Sequence, residues 1–140
     1  MSYTDGFHPD LRNRNNGEAR QSLRTRVHHA LTGDSVGSER IWMGEIPVLP
    51  ETVSGNHHHG ESETAIFVRS GNPEFVFHDG VEEVRVVTAP GDYIFVPPYV
   101  PHREENPDPD HPAVIVIARS TQEAIVVNLK ELYALSGSAD

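Results

Sequence analysis

Short apolar runs recur along this chain, and each is closed by residues that favour turns. Glu39 to Leu49 (ERIWMGEIPVL) reads as a strand and turn closed by Pro47 and Pro50, and Val53 to His59 as a short strand. Thr64 to Arg69 (TAIFVR) is a dense run ended by Ser70 and Gly71. Glu74 to Phe77 and Val81 to Val87 flank His78-Asp79-Gly80, and Asp-Gly between two apolar runs is a strong hairpin signal. Tyr93 to Val96 stops at Pro97 and Pro98; Val114 to Ala118 (VIVIA) and Ala124 to Val127 complete the series. Runs this short, with turns at intervals of roughly ten residues, predict about eight or nine strands in an antiparallel sandwich or jelly-roll barrel. Residues 23–31 fit both a strand alternation and a helical face, and are expected to form an arm on the barrel. Lys130 to Leu135 suggests a short helical turn. The expected organisation is a poorly ordered polar segment over 1–22, one barrel over 23–134 and a polar tail over 135–140.

Charge narrows the partners. The 140 residues carry a net charge of −10 with histidines neutral. The basic excess is confined to the start, where five arginines precede residue 27. An acidic body disfavours a nucleic-acid partner, which requires clustered Lys and Arg. There is no cysteine, which excludes thiol catalysis, thiolate-bound metal and disulfides. The start has no apolar stretch of secretory type, and no run approaches the ~18 residues of a membrane helix. A cytoplasmic protein is expected.

The densest chemical feature is Asn56-His57-His58-His59. On an extended segment, residues two apart share a face. His57 and His59 can therefore reach one point, while His58 faces away; an exposed polar loop remains the alternative. More distinctive is the context. The run GNHHHGESETAIFVRSG (Gly55–Gly71) and the run GDYIFVPPYVPHREEN (Gly91–Asn106) resemble the two signatures of the cupin superfamily. Gly55, His57, His59, Glu63 and Gly71 match the first; Gly91, Pro97, His102 and Asn106 match the second. Tyr99 stands where the second has a glycine, which bears on turn shape rather than on ligation.

The resemblance implies an all-β, antiparallel double-stranded β-helix (jelly-roll) barrel with a polar N-terminal arm. It further implies one divalent metal ion on His57, His59, His102 and Glu63. Iron, manganese, zinc, nickel and copper all suit imidazole. The carboxylate is where the rulers conflict. Counting forward from His59 reaches Glu63; counting back from Gly71 reaches Thr64. If Thr64 faces inward, Arg69 faces water; if Glu63 does, Arg69 is carried inside. A bulge near Glu63 reconciles the two rulers, and the rival is a three-histidine site with Glu63 or Glu61 displaced.

Glu104 shares the face of His102 if that segment is extended, and is the candidate acid or base, as is Glu63 if it is not a ligand. Arg103 and Glu105 then point outward. Tyr93 and Tyr99 are candidates for the barrel mouth, and one of Trp42 and Met43 for the cavity wall. His28, His29, His78 and His111 read as solvent or loop residues. The expected function is a metal-dependent enzyme acting on a small organic molecule: an oxygenase of dioxygenase type, or otherwise an isomerase or cyclase. The alternative is a small-ligand-binding or sensing module without chemistry. A homodimer is expected from the resemblance, with pairing covering an apolar edge such as VIVIA.

Overall fold

The computed structural model describes residues 28–135. Its elements are a one-turn helix α1 (Gly33–Val36) and ten strands. The strands are β1 (Trp42–Val48), β2 (Thr52–Val53), β3 (His57–His58), β4 (Thr64–Ser70), β5 (Glu74–His78), β6 (Glu83–Val87), β7 (Tyr93–Val96), β8 (Arg103–Asn106), β9 (Ala113–Arg119) and β10 (Val127–Asn128). One four-stranded sheet has the order β1-β9-β4-β7, the other β2-β8-β5-β6, and β3 pairs with β10. All the pairings are antiparallel, as a double-stranded β-helix requires.

Period-two patterning places the core between the sheets. In β4, Thr64, Ile66 and Val68 are buried while Ala65 and Arg69 are exposed. Ile66, Val68, Val96 and Ile115 from one sheet pack with Phe75 from the other, flanked by Ile46, Phe77 and Ile117. In register with this stripe, Ile115 lies between Ile46 and Val68, and Arg119 between Trp42 and Thr64. VIVIA therefore belongs to a strand paired on both sides, not to an apolar edge as expected.

Strand β8 (REEN) has no apolar residue and escaped the hydrophobic pattern. Its alternation is electrostatic. On its outer side, Arg103 pairs with Glu105 at 2.7 Å and Glu83 at 2.9 Å, and Arg85 pairs with Glu105 at 2.7 Å and Glu74 at 2.8 Å. On its inner side are Glu104 and the buried Asn106. The Asn106 amide donates to the carbonyls of Val48 and His111, both at 3.0 Å, so it ties the end of β1 to the loop before β9.

Several boundaries shift. The expected Val53–His59 strand is split into β2 and β3, the Val81 strand starts at Glu83, and the Ala124 strand is reduced to Val127–Asn128. Lys130 to Leu135 forms no helix; buried Leu132 anchors it instead. Of the expected arm, Leu31 bridges to Met43, while residues 23–27 and the segment 1–22 lie outside the described residues.

Gly71, the closing glycine of the first signature, sits at φ 81°, and a Cβ there would lie 2.8 Å from the Ala113 Cα. Left-handed backbone disfavours any side chain, and Ala113 belongs to a paired central strand that cannot yield cheaply. Gly71→Ala is expected to destabilise the chain by about 3 kcal/mol in urea unfolding, with the midpoint moved and the slope unchanged. A loss below about 1 kcal/mol would show that the turn adapts.

Candidate functional site

Three backbone devices bring the histidines together. His57 and His102 form an isolated antiparallel bridge, each N–H donating to the other's carbonyl at 2.9 Å, so their side chains lie on one face. His59 follows two residues after His57 on the same extended segment. At the turn, the Tyr99 N–H donates to the Gly60 carbonyl at 2.8 Å. Tyr99 adopts φ 65°, the left-handed geometry for which a glycine was expected at this position. His58 faces the other way and accepts the Gly60 N–H on Nδ1 at 2.9 Å.

The ring centroids of His57, His59 and His102 lie 4.5–5.0 Å apart, and one nitrogen from each falls within 4.8 Å of the others. Each Nδ1 is held by a backbone carbonyl: His57 by Gly55 at 2.7 Å, His59 by Ile125 at 2.8 Å and His102 by Val100 at 3.1 Å. A carbonyl only accepts, so each Nδ1 carries the proton and each Nε2 keeps its lone pair. This is the tautomer a metal ligand needs, oriented by its outer partner.

His102 is fully buried, and its Nε2 has no hydrogen-bond partner. An unpartnered buried nitrogen is costly, and ligation of an ion would satisfy it. Burial, followed by the nearby imidazoles, lowers His102 to a pKa of about 4; burial likewise lowers His59. Both shifts favour the neutral ring that ligation needs, and the donor atoms of the three histidines suit a divalent ion.

Glu63 lies outside this group. It is exposed, its N–H donates to Ser120 Oγ at 2.9 Å and its carbonyl accepts from the Ser120 N–H at 3.0 Å. The inward position belongs to buried Thr64, and Arg69 faces water against Glu45. The group that the described residues bring together is the three histidines, without the Glu63 expected beside them. Glu61 is exposed as well.

The carboxylate that does reach the centre is Glu104, whose Oε1 lies 4.0 Å from His102 Nε2. Burial pushes its carboxyl above the usual range, opposed by the nearby His57. Glu104, His57, His59 and Thr64 line a cavity of about 230 Å³, closed by Ile46, Ile117, Ile125 and other aliphatic side chains and by Arg119. Of the other candidates, Trp42 is half-buried with its ring against the Arg119 guanidinium, while Met43 and Tyr93 are exposed. Tyr99 packs on His58, and His29, His78 and His111 stay away from the group. Sequence reasoning missed Arg119.

A family model described as "Cupin domain" matches residues 45–119. Among solved structures, a conserved protein with a double-stranded β-helix domain from Klebsiella pneumoniae subsp. pneumoniae MGH 78578 is 18% identical with a TM-score of 0.56, covering 67% of this chain and 78% of that one. Oxalate decarboxylase from Bacillus subtilis, in a study of its Mn(II) centres, is 20% identical with a TM-score of 0.60, covering 74% and 29%. The capsular polysaccharide assembling protein CapF from Staphylococcus aureus is 18% identical with a TM-score of 0.57, covering 66% and 29%. This chain thus spans less than a third of the latter two, and these likenesses establish the fold alone. No curated protein matches the sequence.

Proposed function

The chain belongs to the cupin family, and from that premise we propose that it is a metal-dependent enzyme of oxygenase type acting on a small organic molecule held in the barrel cavity. The observation that carries this reading is the set of three imidazoles, each clamped at Nδ1, with the Nε2 of buried His102 left unpartnered. A redox-active ion on these residues, such as manganese or iron, supplies dioxygen activation and Lewis acidity. With no carboxylate among the residues that would hold it, the ion's charge would not be offset and would remain to polarise a substrate.

The chain's own residues do the rest. The aliphatic wall excludes water from the reacting centre, and the cavity volume of about 230 Å³ restricts substrates to short molecules. Glu104 stands where it can hold or accept a proton at Oε1 beside the ligand set. That carboxyl favours a second reading, an isomerase or cyclase working by proton transfer on a redox-inert ion such as zinc.

Metal analysis of untagged protein combined with an oxygen-uptake screen separates the readings. About one manganese or iron per chain, with substrate-dependent oxygen consumption, supports the first. Zinc with turnover that ignores oxygen supports the second. Ligand binding that survives metal removal, with the ligand recovered unchanged, would instead mark a non-catalytic binding module.

Glu104→Gln sharpens the comparison. In the proton-transfer reading it keeps the metal content and lowers turnover by roughly 10²–10⁴. Wild-type turnover in the variant would remove Glu104 from the chemistry.

A further inference from the structure

Arg119 is a cation built into an apolar wall. It ends β9 in the inward register of Ala113, Ile115 and Ile117, opposite buried Thr64. Its guanidinium lies 4.1 Å from the centroid of the Trp42 ring. Its Nε donates to the Thr121 carbonyl at 3.0 Å and Nη2 to the Gln122 carbonyl at 2.8 Å. Neutral acceptors and an aromatic face orient the fork without cancelling its charge. Among the described residues no carboxylate forms an ion pair with Arg119, whereas Arg69 pairs with one carboxylate and Arg85 and Arg103 with two each. Glu104 shares the cavity but lies at its histidine end, beside His102.

A half-buried arginine with its charge unmatched is costly unless something else supplies the anion. A guanidinium fork matches a planar carboxylate in two parallel hydrogen bonds. Around it, Ile46, Ile117, Ala124, Ile125 and Val126 supply a surface for a short hydrocarbon body. The volume, about 230 Å³, lies below the ~300–1,000 Å³ of sites for larger ligands.

We propose that Arg119 is the specificity residue of the cavity, and that its ligands are short aliphatic carboxylic acids held with the carboxylate on Arg119 and the hydrocarbon against the isoleucine wall. This deepens the reading of the cavity as the substrate site and rests on it. Held in this way, the acid presents its other end to the histidines and Glu104. Trp42, the single tryptophan of the chain, lies against the same guanidinium and reports its occupation.

The test is a titration of the full chain, metal-free and zinc-loaded, with isovalerate, isovaleramide and inorganic phosphate. Trp42 emission and calorimetry are read together. Isovalerate is expected to bind at least roughly tenfold more tightly than the amide, with or without zinc, because a charge-assisted hydrogen bond exceeds a neutral one by about that factor. Arg119→Gln, which can still donate to one loop carbonyl, is expected to lose the preference while keeping the metal content; Arg119→Lys keeps part of it. A merely structural arginine would not move this ratio.

Equal binding of acid and amide overturns the proposal, as does an unchanged preference in Arg119→Gln. So does tighter binding of phosphate than of isovalerate, or no heat and no emission change at millimolar isovalerate. The metal content tells the two readings apart. An acid preference in a chain that takes up no metal upholds Arg119 and defeats the enzyme reading; stoichiometric metal without the preference does the reverse.

Discussion

His59→Ala is expected to lower the affinity for a divalent ion by more than roughly 100-fold, and His57→Ala and His102→Ala to do the same. Loss of a group that only orients a ligand costs about 10–100-fold, and loss of the ligand itself exceeds that. The argument is geometric. The three nitrogens lie within 4.8 Å of one another, and two remaining imidazoles cannot fix an ion against water as three can. Two control variants give the prediction its edge. His58→Ala should bind metal like the wild type, because His58 faces away and spends Nδ1 on the Gly60 N–H. Glu63→Gln should also bind normally, because that side chain is exposed beside Ser120. Dialysis of each variant against one equivalent of manganese or zinc, followed by elemental analysis, reads all five. A loss in Glu63→Gln as large as in His59→Ala would restore the four-ligand site. Normal metal in His102→Ala would remove the site altogether.

The histidines were legible because their signal is local. Residues two apart on an extended segment share a face, and no distant contact can change that for His57 and His59. His102 was legible only through its resemblance to a known spacing, since the bridge that sets it against His57 joins residues far apart in the chain. Glu63 was harder to place from sequence, for a related reason. Facing flips with each residue, so the register of β4 decides between Glu63 and Thr64, and that register is set by pairing with β7 and β9. The clue was present in Arg69, which an inward Glu63 would have carried inside.

The same clue misleads at Arg119. An arginine closing an apolar run reads as the point where the strand meets water, as Arg69 does against Glu45. Yet the alternation of Ala113, Ile115 and Ile117 continues to Arg119, where Trp42 and two loop carbonyls receive the guanidinium. Strand β8 was hidden in the opposite way. Its alternation is written in charges, with Arg103 and Glu105 on the outer ladder and Glu104 and Asn106 inside, so a hydrophobic pattern passes over it. Both cases place chemistry where local preference is overridden, which is where functional residues are commonly found.

Acidification of the metal-free chain between pH 6.5 and 4 is expected to remove on the order of 3 kcal/mol of stability through His102 alone. The sign follows from burial. His102 is fully buried and its folded-state pKa is lowered to about 4, while the unfolded chain titrates near ~6.5. Across that window the unfolded chain takes up a proton the folded chain refuses, so stability present above ~6.5 is lost as pH falls, by about 1.4 kcal/mol per unit. His59, also lowered, adds to the loss. Glu104 opposes it, because a carboxyl raised by burial binds its proton earlier in the folded chain and gains stability as pH falls. The acids Asp79, Glu83, Glu105 and Asp108 are held low by hydrogen bonds and ion pairs, so their contributions fade mainly below the histidine window. Urea unfolding of wild type and His102→Gln at a series of pH values isolates the term: the wild type should lose about 3 kcal/mol more than the variant by pH 4. Parallel curves would mean that His102 takes up its proton as readily folded as unfolded. The same refusal of protons favours ligation, because an imidazole that stays neutral to about pH 4 competes for a metal ion where a free one would already be protonated.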